Sequence, residues 1–190
     1  MASVNDPSLR FSHVALNCRD QGAVERFYSR HFGFRRARTI SLDEGEIVFL
    51  KCGDVYLELF AVAADSAGPT RAGDGPLTPG VRHLAFQVDD VDTQLESMGE
   101  DAVVSLGPLD FDGFIPGWRT VWLSDPEGNI VEVSQGFVDE KPVATGRGTA
   151  TGEASAVATS RTKATPGSRD PWDAARTNAT PMDAGRKDQW

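Results

Sequence analysis

The sequence contains two similar units 70 residues apart, and this duplication is the feature that most limits the folds open to the chain. Residues 13–20 (HVALNCRD) are similar to residues 83–90 (HLAFQVDD). Farther along, Val-Phe-Leu, a glycine turn and a strand with Glu58 recur as Val-Trp-Leu, a glycine turn and a strand with Glu132. Because repeated supersecondary units usually cover one another's apolar faces, the duplication predicts one domain made of two paired modules.

Each unit is predicted to fold as βαβββ, from its alternating and helical patterns and its turn residues. In the first unit we expect these elements: strand 11–18, helix 21–31 capped by Asp20, strand 34–40 and hairpin 46–62. In the second unit we expect strand 82–88, helix 91–99 capped by Asp89 or Asp90, strand 101–106, a long loop and hairpin 118–136. The predicted fold class is α+β, with two βαβββ modules forming a cupped mixed sheet and the helices outside. The modules span about 10–62 and 81–137, joined by a linker at 63–80.

Strand alternation predicts where the polar side chains of the repeat point. Val14 and Leu16 share the face that packs on the helix, so His13 lies on the other, concave face. The same parity places Glu58, His83 and Glu132 on that face. Two carboxylates on a concave apolar face without a cation would be strongly destabilising. The duplicated residues therefore predict one divalent metal held jointly by the two halves, whereas His31 lies on the apolar side of its helix and receives no site role.

Composition separates a globular part from a polar tail. Residues 141–190 hold eight Lys and Arg and five Asp and Glu, a net charge of +3, which leaves −12 on residues 1–140. The acidic globular part argues against a nucleic-acid partner, because phosphate contacts need a basic face. Residues 138–190 lack Leu, Ile, Phe and Tyr, and such a segment is predicted to be a disordered tail.

Cysteine use and the N-terminus bear on the compartment. The chain has only Cys18 and Cys52, with no spacing typical of a disulfide framework or a zinc ribbon. No signal-like N-terminus and no apolar run of membrane-spanning length is present. These observations predict a cytoplasmic protein without a membrane partner.

The repeated motifs and residues 125–132 (DPEGNIVE) resemble the vicinal oxygen chelate superfamily, which includes glyoxalase I, methylmalonyl-CoA epimerase, extradiol dioxygenases and bleomycin-resistance proteins. The resemblance covers about residues 10–137, and residues 125–132 are its most specific part. It implies a metal in the cup with ligands His13, Glu58, His83 and Glu132, and it implies a homodimer. Imidazole and carboxylate donors suit Zn, Ni, Co, Mn, Mg or Fe(II) without selecting one.

The resemblance and this ligand set imply a lyase or isomerase that stabilises an enediolate after a proton is removed next to a carbonyl group. Glu132 is the expected general base, and Glu46 is a candidate second carboxylate if its strand register directs it to the site. One alternative is an Fe(II)-dependent ring-cleaving dioxygenase. Another is a non-catalytic protein that sequesters a drug.

The substrate, a small molecule with a carbonyl group, is expected to contact a pocket built from both modules. Asn17 stands where the family usually places a cationic residue for glutathione carboxylates, and Arg82 or Arg119 could substitute for it. The loop 107–118 is a candidate lid or a packed loop. The predicted pocket residues are Asn17, Tyr56, Phe60, Gln87, Phe114, Trp118 and Trp122.

Overall fold

The duplicated βαβββ order is present in the computed structural model, which describes residues 10–66, 73–77 and 79–140. The elements of the first module are β1 (His13–Cys18), α1 (Gln21–His31), β2 (Arg35–Ser41), β3 (Glu46–Cys52) and β4 (Val55–Ala61). Those of the second are β5 (Leu84–Gln87), α2 (Val91–Met98), a 3₁₀ turn (Gly99–Asp101), β6 (Val104–Asp110), β7 (Arg119–Ser124) and β8 (Ile130–Gln135). The predicted α+β class is confirmed. The predicted disorder of the tail concerns residues that lie, from 141 onward, outside the described ones.

The strands form two four-stranded mixed sheets with the same order. In the first sheet the order is β1-β4-β3-β2, and in the second it is β5-β8-β7-β6. The first and last strands of each module are parallel neighbours, β1 with β4 and β5 with β8. This pairing places the histidine of each module beside the glutamate of the same module.

Both helices begin at a capping aspartate. The Asp20 carboxylate accepts a hydrogen bond from the backbone N–H of Ala23 at 2.8 Å, and Asp90 accepts one from Thr93 at 2.7 Å. Such caps satisfy backbone donors that have no partner inside the helix. Asp20 therefore caps the first helix as predicted. Of the two residues predicted as alternatives for the second helix, Asp89 and Asp90, the cap is Asp90.

A single hydrophobic core spans the two modules. It combines residues on the helix side of both sheets, among them Leu57 and Leu59 of β4 with Val131 and Val133 of β8. The rings of Phe32 and Phe86, one from each module, pack against this core and are stacked with centroids 4.4 Å apart. The modules are thus joined through the faces opposite to those that carry the His and Glu residues of the repeat.

The connection between β6 and β7 is shorter than the loop 107–118 that its Gly and Pro residues predict. Strand β6 continues through Gly107 and Pro108 to Asp110, because the ladder to β7 shifts register between Leu106 and Leu109 and so accommodates both residues. The remaining connection, 111–118, packs on the sheet: Phe111 is buried with Trp122 and Ile130 in a second, smaller apolar cluster. Neither helix among the described residues has the length or apolar character to cross a membrane.

Candidate functional site

The first His–Glu pair lies on neighbouring parallel strands of the first sheet. Ala15 of β1 pairs with Glu58 of β4, so His13, two residues before Ala15, shares the face of Glu58. The Nε2 atom of His13 is 3.3 Å from Oε2 of Glu58. The imidazole is 43% exposed and the carboxylate 15% exposed, so this pair is open to solvent on the face away from the core.

The second pair repeats this arrangement. Ala85 of β5 pairs with Glu132 of β8, and His83 immediately precedes β5. The Nε2 atom of His83 is 2.9 Å from Oε2 of Glu132, and the two side chains are 22% and 13% exposed. The duplicated sequence positions therefore produce duplicated geometry, which the alternation pattern predicts.

The two imidazoles differ in how their other ring nitrogen is held. Nδ1 of His83 lies 2.8 Å from the backbone carbonyl oxygen of Asp74; since a carbonyl can only accept, Nδ1 carries the proton and donates it. Nδ1 of His13 lies 3.1 Å from the hydroxyl of Ser12. The hydrogen bond to Glu132, together with the Asp74 contact and against the effect of burial, raises the pKa of His83 above its usual value.

The two carboxylates also have different neighbours across the sheet. Trp122 is directly opposite Glu132 in the ladder, and its indole Nε1–H donates a hydrogen bond to Oε2 of Glu132 at 3.1 Å. In the first module the equivalent position opposite Glu58 is Phe49, which has no donor. Sequence reasoning placed Trp122 only in the pocket, although the mismatch between Val-Phe-Leu and Val-Trp-Leu was visible in the repeat.

The four expected metal ligands, His13, Glu58, His83 and Glu132, come together as two pairs and not as one group of four. Over residues 10–66, 73–77 and 79–140, no three His, Cys, Asp or Glu side chains are grouped so as to hold a metal ion. The expected convergence within one chain is therefore not met. The reason is that the modules share their core through the helix-side faces, while both pairs lie on the opposite faces.

Each pair nevertheless fits half of a metal coordination shell. In both pairs Nε2 faces a carboxylate oxygen and the other ring nitrogen has a hydrogen-bond partner. A carbonyl oxygen that accepts a hydrogen bond from the second ring nitrogen is a common outer support of a histidine ligand. Imidazole and carboxylate donors together suit several divalent cations. The donor chemistry fits a divalent metal, but one chain supplies it in two separate halves.

Glu46 does not reach the site face. The ladder between β3 and β4 places Ile47, Phe49 and Lys51 beside Phe60, Glu58 and Tyr56. Glu46 has the opposite parity, so it shares the face of buried Val48. Its carboxylate lies 4.0 Å from Arg36 and is 43% exposed. This parity argues against Glu46 as the second catalytic carboxylate; the register depended on a turn whose length the sequence left open.

Arg82 and Arg119, the arginines expected as possible partners of a substrate carboxylate, are each paired with an acidic side chain of this chain, and so is Arg19. Arg82 contacts both carboxylate oxygens of Asp74 at 2.7 Å. Arg119 bonds Asp110 at 2.8 Å and Asp92 at 3.1 Å. Arg19 bonds Glu127 at 2.7 Å. Carboxylates of a glutathione group would have to compete with these intramolecular partners.

The remaining predicted pocket residues have different surroundings. Tyr56 and Phe60 are half-buried and share the face of Glu58, with Tyr56 opposite His13 and Phe60 opposite Asn17 in the β1–β4 ladder. The side chain of Gln87 donates to the carbonyl of Phe137 at 3.0 Å. Phe114 is 57% exposed, whereas Trp118 packs on Phe111 with ring centroids 4.9 Å apart. In the described loop, Phe111 and Trp118 pack together against the second sheet, whereas most of the Phe114 side chain is exposed.

A cavity of about 540 Å³ lies between the modules. It includes Asn17 and Arg19 of the first module and His83, Leu84 and Asn129 of the second. This volume is within the range typical of small-molecule sites. Asn17, one of the predicted pocket residues, and His83, one of the expected metal ligands, both line this cavity.

The motif of residues 125–129 joins the modules. The hydroxyl of Tyr28 donates to Oδ2 of Asp125 at 3.0 Å, and the Glu127 carboxylate accepts hydrogen bonds from the Arg19 side chain at 2.7 Å and the Asp20 backbone N–H at 2.8 Å. Although burial opposes ionisation, these hydrogen bonds hold the pKa of Glu127 below its usual range. We call this set of contacts the cross-module clamp.

The fold agrees with comparisons to known proteins. The family model of the Glyoxalase/Bleomycin resistance protein/Dioxygenase superfamily matches residues 10–133. The chain belongs to this superfamily. No curated protein is significantly similar to it in sequence.

Solved structures are similar to this chain, and the two with a TM-score above 0.5 show the same fold. The crystal structure of SMU.1112c is 27% identical, with 67% of this chain and 98% of that chain covered and a TM-score of 0.52. A glyoxalase family protein from Bacillus cereus is 15% identical, with 70% and 98% covered and a TM-score of 0.56. TnmS3, an antibiotic binding protein from Streptomyces sp. CB03234, is 22% identical, with 68% and 97% covered and a TM-score of 0.49. The identities of the last two are too low to indicate a shared ligand.

Proposed function

We propose that this protein is a metal-dependent lyase or isomerase of the glyoxalase–epimerase type, acting on a small molecule at the carbon next to a carbonyl group. The observation that carries the proposal is the duplicated His–Glu pair, with Nε2-to-carboxylate distances of 3.3 and 2.9 Å on the faces away from the core. A purely structural role would not require the same two side chains at both copies of the repeat.

His13, Glu58, His83 and Glu132 are the proposed ligands of one divalent metal, of the Zn, Ni, Co, Mn, Mg or Fe(II) type. When bound, the metal would supply Lewis-acid stabilisation of the negative charge that develops on the substrate oxygen. Glu132 is the proposed proton acceptor, because its carboxylate is only 13% exposed and is held in place by two neighbours.

The complete site is proposed to form between two copies of the chain. The first pair of one copy would face the second pair of the other, and a twofold dimer would then hold two equivalent sites. Support comes from the separation of the pairs within one chain and from their position on the faces opposite the shared core.

The paired arginines narrow the substrate class. Because Arg19, Arg82 and Arg119 are each engaged by an acidic side chain, the site offers them poorly to the carboxylates of a glutathione conjugate. The proposal therefore favours a carbonyl or thioester substrate whose recognition does not depend on several carboxylate contacts.

Complementation between two inactive variants tests both the ligands and their division between copies. His13→Ala and His83→Ala, each alone, should lose metal by elemental analysis and lose solvent deuterium exchange at carbons next to ketones or thioesters. After the two are mixed and allowed to exchange subunits, half of the dimers would be mixed and each would hold one intact site. About a quarter of the wild-type metal content should return. No recovery after demonstrated exchange would refute a site shared between copies, and full metal content in both single variants would refute the ligand assignment.

A second candidate is a non-catalytic protein that binds a drug-sized ligand, which the 540 Å³ cavity between the modules favours. Ligand binding to protein freed of metal, with unchanged affinity in His13→Ala, a residue that does not line this cavity, would support it. Oxygen consumption with a catechol and Fe(II) would instead identify a dioxygenase of the same superfamily.

A further inference from the structure

We propose that Trp122 is a positioning residue that fixes the orientation of the Glu132 carboxylate and makes the second His–Glu pair the pre-organised half of the metal site. The inference rests on the proposed function for its use of the metal. The contact itself is a property of the chain without metal: the indole N–H donates to Oε2 of Glu132 at 3.1 Å.

The geometry leaves the carboxylate little choice of orientation. Oε2 of Glu132 faces both Nε2 of His83 at 2.9 Å and the Trp122 indole. The terminal torsion of a glutamate is otherwise broad, so a single contact would restrict it only weakly. Two contacts to the same oxygen restrict that torsion more than one contact would.

Trp122 is itself rigidly placed. Its side chain is fully buried and belongs to the small cluster with Phe111 and Ile130. The Phe111 ring meets it edge-on at a centroid distance of 6.3 Å. A donor locked by packing costs little further entropy when it orders its acceptor, which is what an outer support of a metal ligand requires.

The first module provides an internal comparison without this donor. Phe49 is opposite Glu58 in the same ladder position that Trp122 has opposite Glu132. The Phe49 ring lies edge-on to His13 at 6.3 Å and offers no N–H to the carboxylate. His13 is also about twice as exposed as His83, at 43% against 22%. The two halves therefore differ in rigidity although their metal-type residues are the same.

A metal-free measurement tests the contact directly in the full-length protein. The Trp122 indole N–H resonance is assigned by its absence in Trp122→Phe, among the four tryptophans of the chain. Glu132→Gln replaces a charged acceptor with a neutral one, so the Trp122 resonance should move upfield. Glu58→Gln, the matched change in the other half, should leave it unmoved. A Trp122 indole resonance whose chemical shift is unchanged in Glu132→Gln would overturn the proposal.

Cobalt(II) titration then tests the consequence for the site. Losing an outer support of a metal ligand typically weakens metal binding about 10–100-fold, and that loss is expected for Trp122→Phe. Ile130→Val removes one methylene from the same buried cluster and keeps the indole N–H, so its cobalt affinity should stay within about twofold of wild type. Equal losses in both variants would show a packing effect and overturn the proposal.

The two tests also separate this inference from the proposed function. Wild-type protein that shows the Glu132-dependent indole shift but binds no cobalt would refute the metal site and leave the positioning contact supported. Wild-type protein that binds cobalt, with a Trp122→Phe affinity equal to its own, would refute the positioning role alone.

Discussion

Tyr28→Phe should weaken the cross-module clamp by removing one hydroxyl group. Tyr28 is fully buried, and its hydroxyl donates to Oδ2 of Asp125, which belongs to the other module and is 4% exposed. The ring of Tyr28 also packs on Phe34 and Phe86, with centroids 5.9 and 6.3 Å away. Phenylalanine keeps these ring contacts, so the substitution removes only the hydrogen bond between modules.

The expected loss follows from the state of Asp125. Its Oδ1 accepts from the backbone N–H groups of Glu127 and Asn129, and its Oδ2 accepts from the Asn129 amide and from Tyr28. Because all four partners donate, they stabilise the ionised carboxylate, even though burial raises the pKa of Asp125. A hydrogen bond to a charged group contributes about 1.5–3 kcal/mol. Since three donors remain, we expect a loss of about 2 kcal/mol in the free energy of unfolding.

Urea unfolding of the full-length protein measures this loss. With a denaturant slope of about 2 kcal/mol per molar, the midpoint should fall by about 1 M. Tyr56→Phe is the matched control, because Tyr56 is the only other tyrosine and is half-buried on the sheet face, under the Lys51 ammonium at 5.2 Å. A Tyr28→Phe change below about 0.5 kcal/mol, the size usual for surface substitutions, would show that this hydrogen bond of the clamp does not stabilise the module interface.

Three further outcomes are expected. Glu127→Gln should lower the urea midpoint near neutral pH, because the pKa of Glu127 is lowered in the folded state. The contribution of the ionised carboxylate to the free energy of unfolding is therefore fully present above the ordinary glutamate pKa of about 4.3. It is lost as the pH falls through the lower pKa of the folded state. The midpoints of variant and wild type should therefore converge in acid, and a constant difference would contradict this account. Burial, with Glu127 and Asp125 nearby, raises the pKa of the Cys18 thiol to about 12, so a thiol reagent should label only exposed Cys52 in the folded protein and both cysteines after unfolding. Asp20→Ala should lower the free energy of unfolding by about 1 kcal/mol in the same urea assay through loss of the helix cap, and an unchanged midpoint would argue against that cap.

The alternation and capping patterns predicted the elements of this fold well, because those signals are local. The bounds of α1 were predicted from Asp20 and the apolar positions alone, and they agree with the structure. The β6 strand was cut short at residue 106, since Gly107 and Pro108 are read as a loop unless the facing strand can absorb a register shift. That information lies in the partner strand and not in the local sequence.

The site shows the same division between local and long-range information. The neighbouring strands that bring His13 to Glu58 and His83 to Glu132 follow from the repeat, and both pairs are formed. Their separation within one chain depends on which faces of the modules meet, and strand parity cannot decide that. The cross-module clamp was missed for a related reason: residues 125–129 were quoted as a family signature, and their contacts with Tyr28 and Arg19 cross about 100 residues of chain.

The parallel pairing of β1 with β4, and of β5 with β8, makes each imidazole–carboxylate couple self-contained within its own module. Two such modules could therefore be brought face to face inside one polypeptide or in separate polypeptides by changing only the connecting segment. In this architecture each module carries its own imidazole–carboxylate couple, and the way in which two modules are joined is free to vary around it.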